Sequence, residues 1–566
     1  MTNITGGEAV YRVLKANGID TVFGLLGGSM LELYDAMYKG GQVAYVGARD
    51  ERAAGHMADA WARMTGKPGV VLGAQAGPGV VNIVTAVAEA QLAYSPMVVI
   101  AGAITRADQH KDTFQEVDQV ALFAPISKRS VMVSDPSRLA PMLEDAIRLA
   151  NSGRRGPVVL HVPRDLFAAE VPAIDPTPVN IARPGPAAPD DVAAMAELLS
   201  SAKRPVIFAG GGFKWGRGRK ALTALAEALE VPVVASTGHA DVMRHGHPWF
   251  AGQAGPRGNH VASRLTKEAD VIVVLGARLG FNSTFHSNEY VGSETRIAQV
   301  DVEGSAVGRY FPAEIAAQGD ARLTAEALMD AASKPDCGPW RDAFRADMDS
   351  LRTERAKEAA IETLPMHPRR ALGELRDALP ENAIVTLDTG NTCLQAADRL
   401  AHYEPLSLIT PLDFGLVGFG LSAAIGAKAA APHRPVVAVM GDGAVGYTMI
   451  EIQTAISHDL PIVIVVLDNE AWGAEKAYQQ EFYGGRLLGA EIKSPRFDKF
   501  AELCGGKGIW VDGPGELGPV LHEATSSGKT IVIQARIDPG ALMPLRKDLF
   551  KAPQDGSKAR PPGALS

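Results

Sequence analysis

The chain's 566 residues predict an α/β protein built from doubly wound parallel sheets. Three observations carry that expectation: short, continuous Val/Ile/Leu runs recur along the chain, each alternates with a helix-period segment, and two proline-rich stretches divide the pattern into three units of similar size. An apolar run without polar alternation suits a strand covered on both faces. Parallel sheets are covered that way because their crossover helices lie above and below them.

The elements follow in order. MTNITGGEAVYRVLKANGID reads as a capped amphipathic helix, and TVFGLL, VAYVG, VVLGAQ, MVVIAG and VVLHV read as the strands of a first unit over 1–175. The proline-rich stretch near 171–190 opens a central unit over 188–335, with strands in VIFAG, VPVVAS, VIVVLG and IAQVDV. A charged helix lies between SKPDCGPW and LPMHPRR. A third unit over 365–540 then carries AIVTLD, VVAVMG, IVIVVLD and TIVIQARI. Residues 541–566 form a basic tail, PLRKDLFKAPQDGSKARPPGALS at its core, which reads as a frayed terminus or as a lid over a site.

Composition excludes several functions. With 56 Lys+Arg against 64 Asp+Glu, the net charge of -8 provides no global field for nucleic acid or an anionic membrane. The apolar runs fall short of the ~20 residues of a membrane span, and the amino terminus lacks the pattern of a signal peptide. Cys337, Cys393 and Cys504 lie far apart with no CxxC pair, which argues against a disulfide framework or a cysteine-rich zinc site and for a cytoplasmic setting. The 59 glycines, above the ~7% norm, suggest tight turns or ligand loops.

The most informative segment runs from Gly441 to Gly473, GDGAVGYTMIEIQTAISHDLPIVIVVLDNEAWG. It follows one strand and contains a second, so Gly441-Asp442-Gly443 and Asp468-Asn469 both fall at the carboxyl ends of parallel strands, where open α/β sheets bind ligands. A carboxylate from Asp442, an amide oxygen from Asn469 and a backbone carbonyl from the following loop, at Ala471, suit Mg²⁺ better than zinc. Glycines beside a helix start let the backbone approach phosphate. Between Gly443 and Asp468 the spacing predicts one helix and one strand.

This joined pattern resembles the signature of thiamine diphosphate enzymes of the acetolactate synthase, pyruvate oxidase and benzoylformate decarboxylase superfamily, with Asp468-Asn469 standing where relatives carry Asn-Asn. The resemblance implies that Asp442, Asn469 and Ala471 hold Mg²⁺ and that Gly441, Gly443, Ala444, Trp472 and Gly473 line the cofactor. A second match is the stretch from GARDERAAGHM to PMVVIAG, which is similar to the superfamily's pyrimidine-binding domain. There Glu51 is implied as the acid that holds the cofactor's imino tautomer, whereas the residues alone allow a plain helix-capping role. Gly27, Gly77, Asn82, Gly390 and Asn391 join the cofactor set by the same resemblance, and Val417 is implied as the apolar wedge beneath it.

The central AGGGFKWGRG run falls short of a full dinucleotide fingerprint, so FAD or ADP there is left uncommitted. Two segments bear on substrate. DTFQEVDQVALF contains Gln115, and DNEAWGAEKAYQQEF contains Glu475 and Lys476. Both are similar to the sulfoacetaldehyde acetyltransferase branch and, less completely, to the 2-hydroxyacyl-CoA lyase and oxalyl-CoA decarboxylase branch. Glu475 and Gln115 are candidate catalytic groups. His110, Lys476, Arg546, Lys547 and Lys551 are candidate contacts for a sulfonate, a phosphate or a CoA thioester. The resemblance implies C–C bond formation or cleavage beside a carbonyl, with acetolactate synthase as a further alternative and a catalytically silent homologue as the rival from another class. It also implies a homodimer or homotetramer in which the pyrimidine and diphosphate sites meet between subunits.

Overall fold

The computed structural model describes residues 2–542. Arg546, Lys547 and Lys551 lie outside the described residues. Three six-stranded sheets, parallel throughout, follow one another along the chain. In the first, neighbouring strands are Ala44–Gly47, Thr21–Leu25, Gly69–Gly73, Met97–Ala103, Pro157–Pro163 and Arg129–Met132. The third runs Leu408–Ile409, Ile384–Leu387, Val436–Gly441, Val463–Asp468, Ile531–Arg536 and Lys507–Val511. Numbered within each unit, both sheets read 2-1-3-4-6-5, so the fold of the first unit recurs in the third. The central sheet, from Phe250–Gln253 through Val233–Ala235, Pro205–Ala209, Val271–Leu275 and Arg296–Asp301 to Ile315–Gln318, reads 3-2-1-4-5-6, the order of dinucleotide-binding sheets.

Local chemistry sets the elements. Val271–Leu275 is buried at every position, as a strand between two helical layers requires. The helix Gly6–Ala16 starts where Thr5 Oγ1 accepts the Glu8 N–H at 3.1 Å. The helix Glu51–Thr65 starts where Asp50 Oδ1 accepts the Arg52 N–H at 2.7 Å, and it ends on Gly66 in the left-handed region.

The first and third units share one apolar core, in which Phe23, Met57 and Trp61 meet Ala423, Met440 and Val466. The helices Glu51–Thr65 and Gly420–Ala430 cross inside it so closely that a Cβ on Gly426 would lie 2.0 Å from the Met57 carbonyl oxygen. The central unit has a separate core, to which the helix Gly338–Ala359 adds Trp340, Phe344 and Leu351. Among the described residues no helix is long and apolar enough to cross a membrane.

The segment after Gly441 departs from expectation. It forms two helices, Asp442–Thr448 and Glu451–Ser457, before the strand Val463–Asp468. The break is a tightened turn, because the N–H groups of Ile452 and Gln453 reach the carbonyls three residues back, on Met449 and Ile450.

Candidate active site

In the first sheet the strand order reverses between Thr21–Leu25 and Gly69–Gly73, and the loops leaving both strands meet there. A Cβ on Gly27 would lie 2.6 Å from the Ala74 carbonyl carbon, so only glycine permits the contact. Gln75 ties the loops together: its Oε1 accepts the Gly28 N–H at 3.0 Å, and its Nε2 donates to Gln115 Oε1 at 2.6 Å. Gly77 adopts φ 70° and ψ −103° beside the Gln115 carbonyl, and its N–H donates to the buried Gln119 Oε1 at 3.0 Å.

Glu51 lies in this cluster at the first position of its helix and is buried. Its Oε2 accepts from Asn82 Nδ2 at 3.0 Å, while its Oε1 would be 2.9 Å from a Cβ on Gly79, so glycine keeps that oxygen clear. Tyr34 and Tyr45 pack edge to face beside it, and burial raises both phenols above their usual range. His110 sits farther out and exposed. Its N–H and that of Thr113 hold the Glu116 carboxylate at 2.6 and 3.0 Å, which keeps that acid below the usual carboxylate range.

The third sheet builds a second cluster at its own reversal, between Ile384–Leu387 and Val436–Gly441. Asp442 begins a helix and is buried. Its Oδ2 accepts from Ser494 Oγ at 2.5 Å, and burial, with the nearby charge of Asp468, raises its carboxyl to about 6. Asp468 is otherwise engaged: Gln534 Nε2 donates to it at 2.7 Å and the Glu470 N–H at 3.1 Å. Asn469 follows, and its Nδ2 would be 3.1 Å from a Cβ on Gly473. The segment then pairs antiparallel with 490–492 through Trp472 N–H to Ala490 O and Ile492 N–H to Glu470 O. Among the described residues no hydrogen bond takes the Ala471 carbonyl.

Glycines floor this cluster. A Cβ on Gly390 or Gly441 would meet nothing within 4 Å, whereas one on Gly443 would lie 2.7 Å from the Trp472 ring. Asn391 starts the helix Asn391–Arg399, Ala444 is buried, and Val417 is half-buried against the shared core. In the first turn of the helix Gly473–Phe482, Glu475 is exposed while Lys476 is buried and paired with Glu491 at 3.1 Å. Among the described residues no three His, Cys, Asp or Glu side chains group as a metal site. A cation here would therefore rest on one carboxylate with amide and carbonyl oxygens.

Three neighbours escaped the sequence reading. Asp388, fully buried, accepts the N–H groups of Thr389, Gly418 and Gly420, and so fixes the 388–391 loop to the loop carrying Val417. Burial raises its carboxyl to about 6. Gln75 and Asp388 both close apolar strand runs, which was a usable positional signal; Ser494 has none.

The two clusters stay apart within one chain. The residues flanking Glu51 meet the far end of the helix that Asp442 begins and the start of the next one: Arg52 Nη2 donates to Tyr447 O at 3.3 Å, and the Arg49 N–H to Glu451 at 3.0 Å. Tyr447 lies five residues, about 7.5 Å, along that helix from Asp442. In the central sheet, Gly210 and Gly212 press on the backbone of Gly276 and Gly211 faces His239, so these glycines serve packing, and FAD or ADP is left with strand order alone in its favour.

A duplicated doubly wound sheet, with a buried acid at one reversal and hard oxygen donors over open glycines at the other, defines a protein with a divided ligand site. Comparison with known proteins gives its kind. Residues 4–122 match the thiamine pyrophosphate enzyme N-terminal TPP binding domain, 192–328 the central domain and 388–535 the C-terminal TPP binding domain. The sulfoacetaldehyde acetyltransferases of Alcaligenes xylosoxydans xylosoxydans and Castellaniella defragrans are each 34% identical to it, over 97% of this chain and 96% of theirs. The acetolactate synthase isozyme 3 large subunit of Escherichia coli (strain K12) is 32% identical over 93% of this chain and 92% of its own. The chain belongs to the thiamine pyrophosphate enzyme family.

Proposed function

We propose that the chain uses thiamine diphosphate with Mg²⁺ to cleave the C–S bond of sulfoacetaldehyde, releasing sulfite, and to deliver the remaining two carbons to phosphate as an acetyl group. The observation that carries this reading is the near end-to-end similarity to the two sulfoacetaldehyde acetyltransferases. The donor set supports the cofactor. Asp442, Asn469 and the Ala471 carbonyl offer hard oxygens of the kind Mg²⁺ takes, and Gly390 and Gly441 leave backbone open toward a diphosphate. When bound, thiamine diphosphate supplies a nucleophilic carbon and an electron sink beside the substrate's carbonyl carbon.

The chain's own groups do the rest. Asn82 holds Glu51 Oε2 and leaves Oε1 to exchange a proton with the pyrimidine. Val417 props the cofactor from below. Gln115, held by Gln75, and Lys476, held by Glu491, would orient an anionic substrate, with His110 as a further contact. Glu475 stands exposed at the start of its helix, placed to shuttle a proton at the mouth of the site. A homodimer would bring one subunit's Glu51 cluster to the partner's Asp442 cluster. The exposed Leu26, Phe114 and Val117 near the first cluster and Tyr447 and Ile450 near the third sheet's helices give such an interface its apolar surface.

A second reading, acetolactate synthesis, is favoured by the 32% identity to the Escherichia coli large subunit. Assay of the cofactor-loaded protein separates the two. Acetyl phosphate formed from sulfoacetaldehyde only when phosphate is present supports the first, and acetolactate from pyruvate the second. Formyl-CoA released from a 2-hydroxyacyl-CoA would reject both.

A further inference from the structure

A cavity of about 310 Å³ lies away from both clusters, where the strand Phe250–Gln253, the helix Gly338–Ala359 and the end of the helix Asn391–Arg399 come together. That last helix begins at the candidate diphosphate loop and ends at the cavity, nine residues or about 13 Å on, so the two places are distinct. Phe250, Leu351 and Leu400 give the cavity apolar walls, and Arg352, Arg355 and Arg376 give it charge.

Each of the three arginines has one acidic partner, and the partners differ in kind. Asp398 accepts the Gln253 N–H and Asn259 Nδ2 at 3.0 Å each and pairs with Arg355, so it is spent on the wall itself. Arg352 pairs with Asp349 and Arg376 with Asp377, acids that are 73% and 64% exposed; such solvent-facing pairs hold weakly, so both guanidiniums keep donors for a ligand. Two histidines complete the lining. His402 is 2% exposed, its Nδ1 lies 3.3 Å from Ser407 Oγ, and its Nε2 is buried without a partner among the described residues. Burial holds both His402 and His245 down to about 4, so at neutral pH the arginines alone supply the positive charge.

We propose that this cavity binds a small organic anion, with a phosphate or carboxylate head on Arg352 and Arg376 and an apolar body against Phe250, Leu351 and Leu400. Its position between units and its volume fit a small-molecule site, and guanidinium groups suit either head. The shared chemistry is an amphiphilic anion; the two heads are told apart by experiment.

The test is calorimetric titration of the holoenzyme, its diphosphate site filled with thiamine diphosphate, against phenyl phosphate, benzoate, inorganic phosphate and benzyl alcohol. Phenyl phosphate or benzoate should bind at least about tenfold more tightly than inorganic phosphate or benzyl alcohol, and the tighter of the two identifies the head. Arg376→Gln and Arg352→Gln should each weaken that binding about tenfold, and Leu351→Trp should abolish it by filling the space. Arg352 is 58% exposed and among the described residues pairs with Asp349 alone, so its variant keeps the test alive if Leu351→Trp does not fold. Unchanged affinity in both arginine variants, or no preference over inorganic phosphate and benzyl alcohol, overturns the proposal. So does a change of assembly in Arg352→Gln by light scattering, which would assign the arginines to a second copy of the chain.

Discussion

At Glu51 one oxygen is held and the other left open, and that asymmetry makes a sharp prediction. Glu51→Gln keeps the shape and the Asn82 contact but cannot exchange a proton, so thiamine diphosphate should bind with little change while turnover falls by roughly 10²–10⁴-fold. Titration by tryptophan fluorescence beside a steady-state assay checks both halves; unchanged turnover would return Glu51 to a helix-capping role. Asp442→Ala removes the only buried carboxylate proposed for the cation and strands the Ser494 hydroxyl. The expected outcome is the reverse pattern, in which cofactor affinity becomes weak and insensitive to added Mg²⁺. Asp468, one residue before Asn469, is a control. Its carboxylate is taken by Gln534 and the Glu470 N–H, which gives the Asp in place of the usual Asn a structural role.

Elements show where the chain's own pattern is legible and where it fades. Thirteen apolar runs announce strands, and twelve of those strands lie inside their sheets and are covered on both faces, as Val463–Asp468 is throughout; Ala44–Gly47, at an edge, is the exception. Within the three six-stranded sheets the strands without such a run, Arg129–Met132, Phe250–Gln253, Ile315–Gln318, Leu408–Ile409 and Lys507–Val511, all lie at edges. An edge strand is short or half-exposed, and its composition then overlaps with that of loops. The site divides the same way. Gly441-Asp442-Gly443 and Asp468-Asn469 are readable because sequence-local chemistry marks them, whereas Ser494 reaches Asp442 from 52 residues away and leaves no local trace. Helix crossings are equally silent. Gly426 sits unmarked in an alanine-rich run, yet its missing Cβ is what admits the Met57 carbonyl. Gly426→Ala should destabilise the chain by about 3 kcal/mol, because the obstacle is backbone and cannot rotate away. Urea unfolding measures it, and a midpoint equal to the parent's would show that the two helices do not cross so closely.

Across the whole molecule, buried titratable groups set opposing pH dependences. His56 and His239 are held down to about 3 by burial, and His161, His245 and His402 to about 4, so all three units contain imidazoles that resist protonation. The unfolded chain protonates each near ~6.5, so stability is lost as pH falls from there toward 4, by up to ~1.4 kcal/mol per pH unit per imidazole. Asp388 and Asp442, raised to about 6 by burial, offset part of that loss below pH 6. Glu89 extends the opposite dependence to higher pH. Burial raises it to about 8 although Arg63 contacts it, because the same guanidinium already serves the buried Asp59. The folded chain therefore keeps a proton on Glu89 that the unfolded chain releases above ~4.3, and stability declines as pH rises toward 8. Above pH 6.5 the histidines no longer contribute, which isolates this limb. Urea midpoints measured from pH 4.5 to 8.5 should peak near neutrality. Glu89→Gln should flatten the limb between pH 6.5 and 8 and leave the acid limb steep, whereas a parent chain whose stability keeps rising through pH 8 would mean that Arg63 holds both carboxylates ionised.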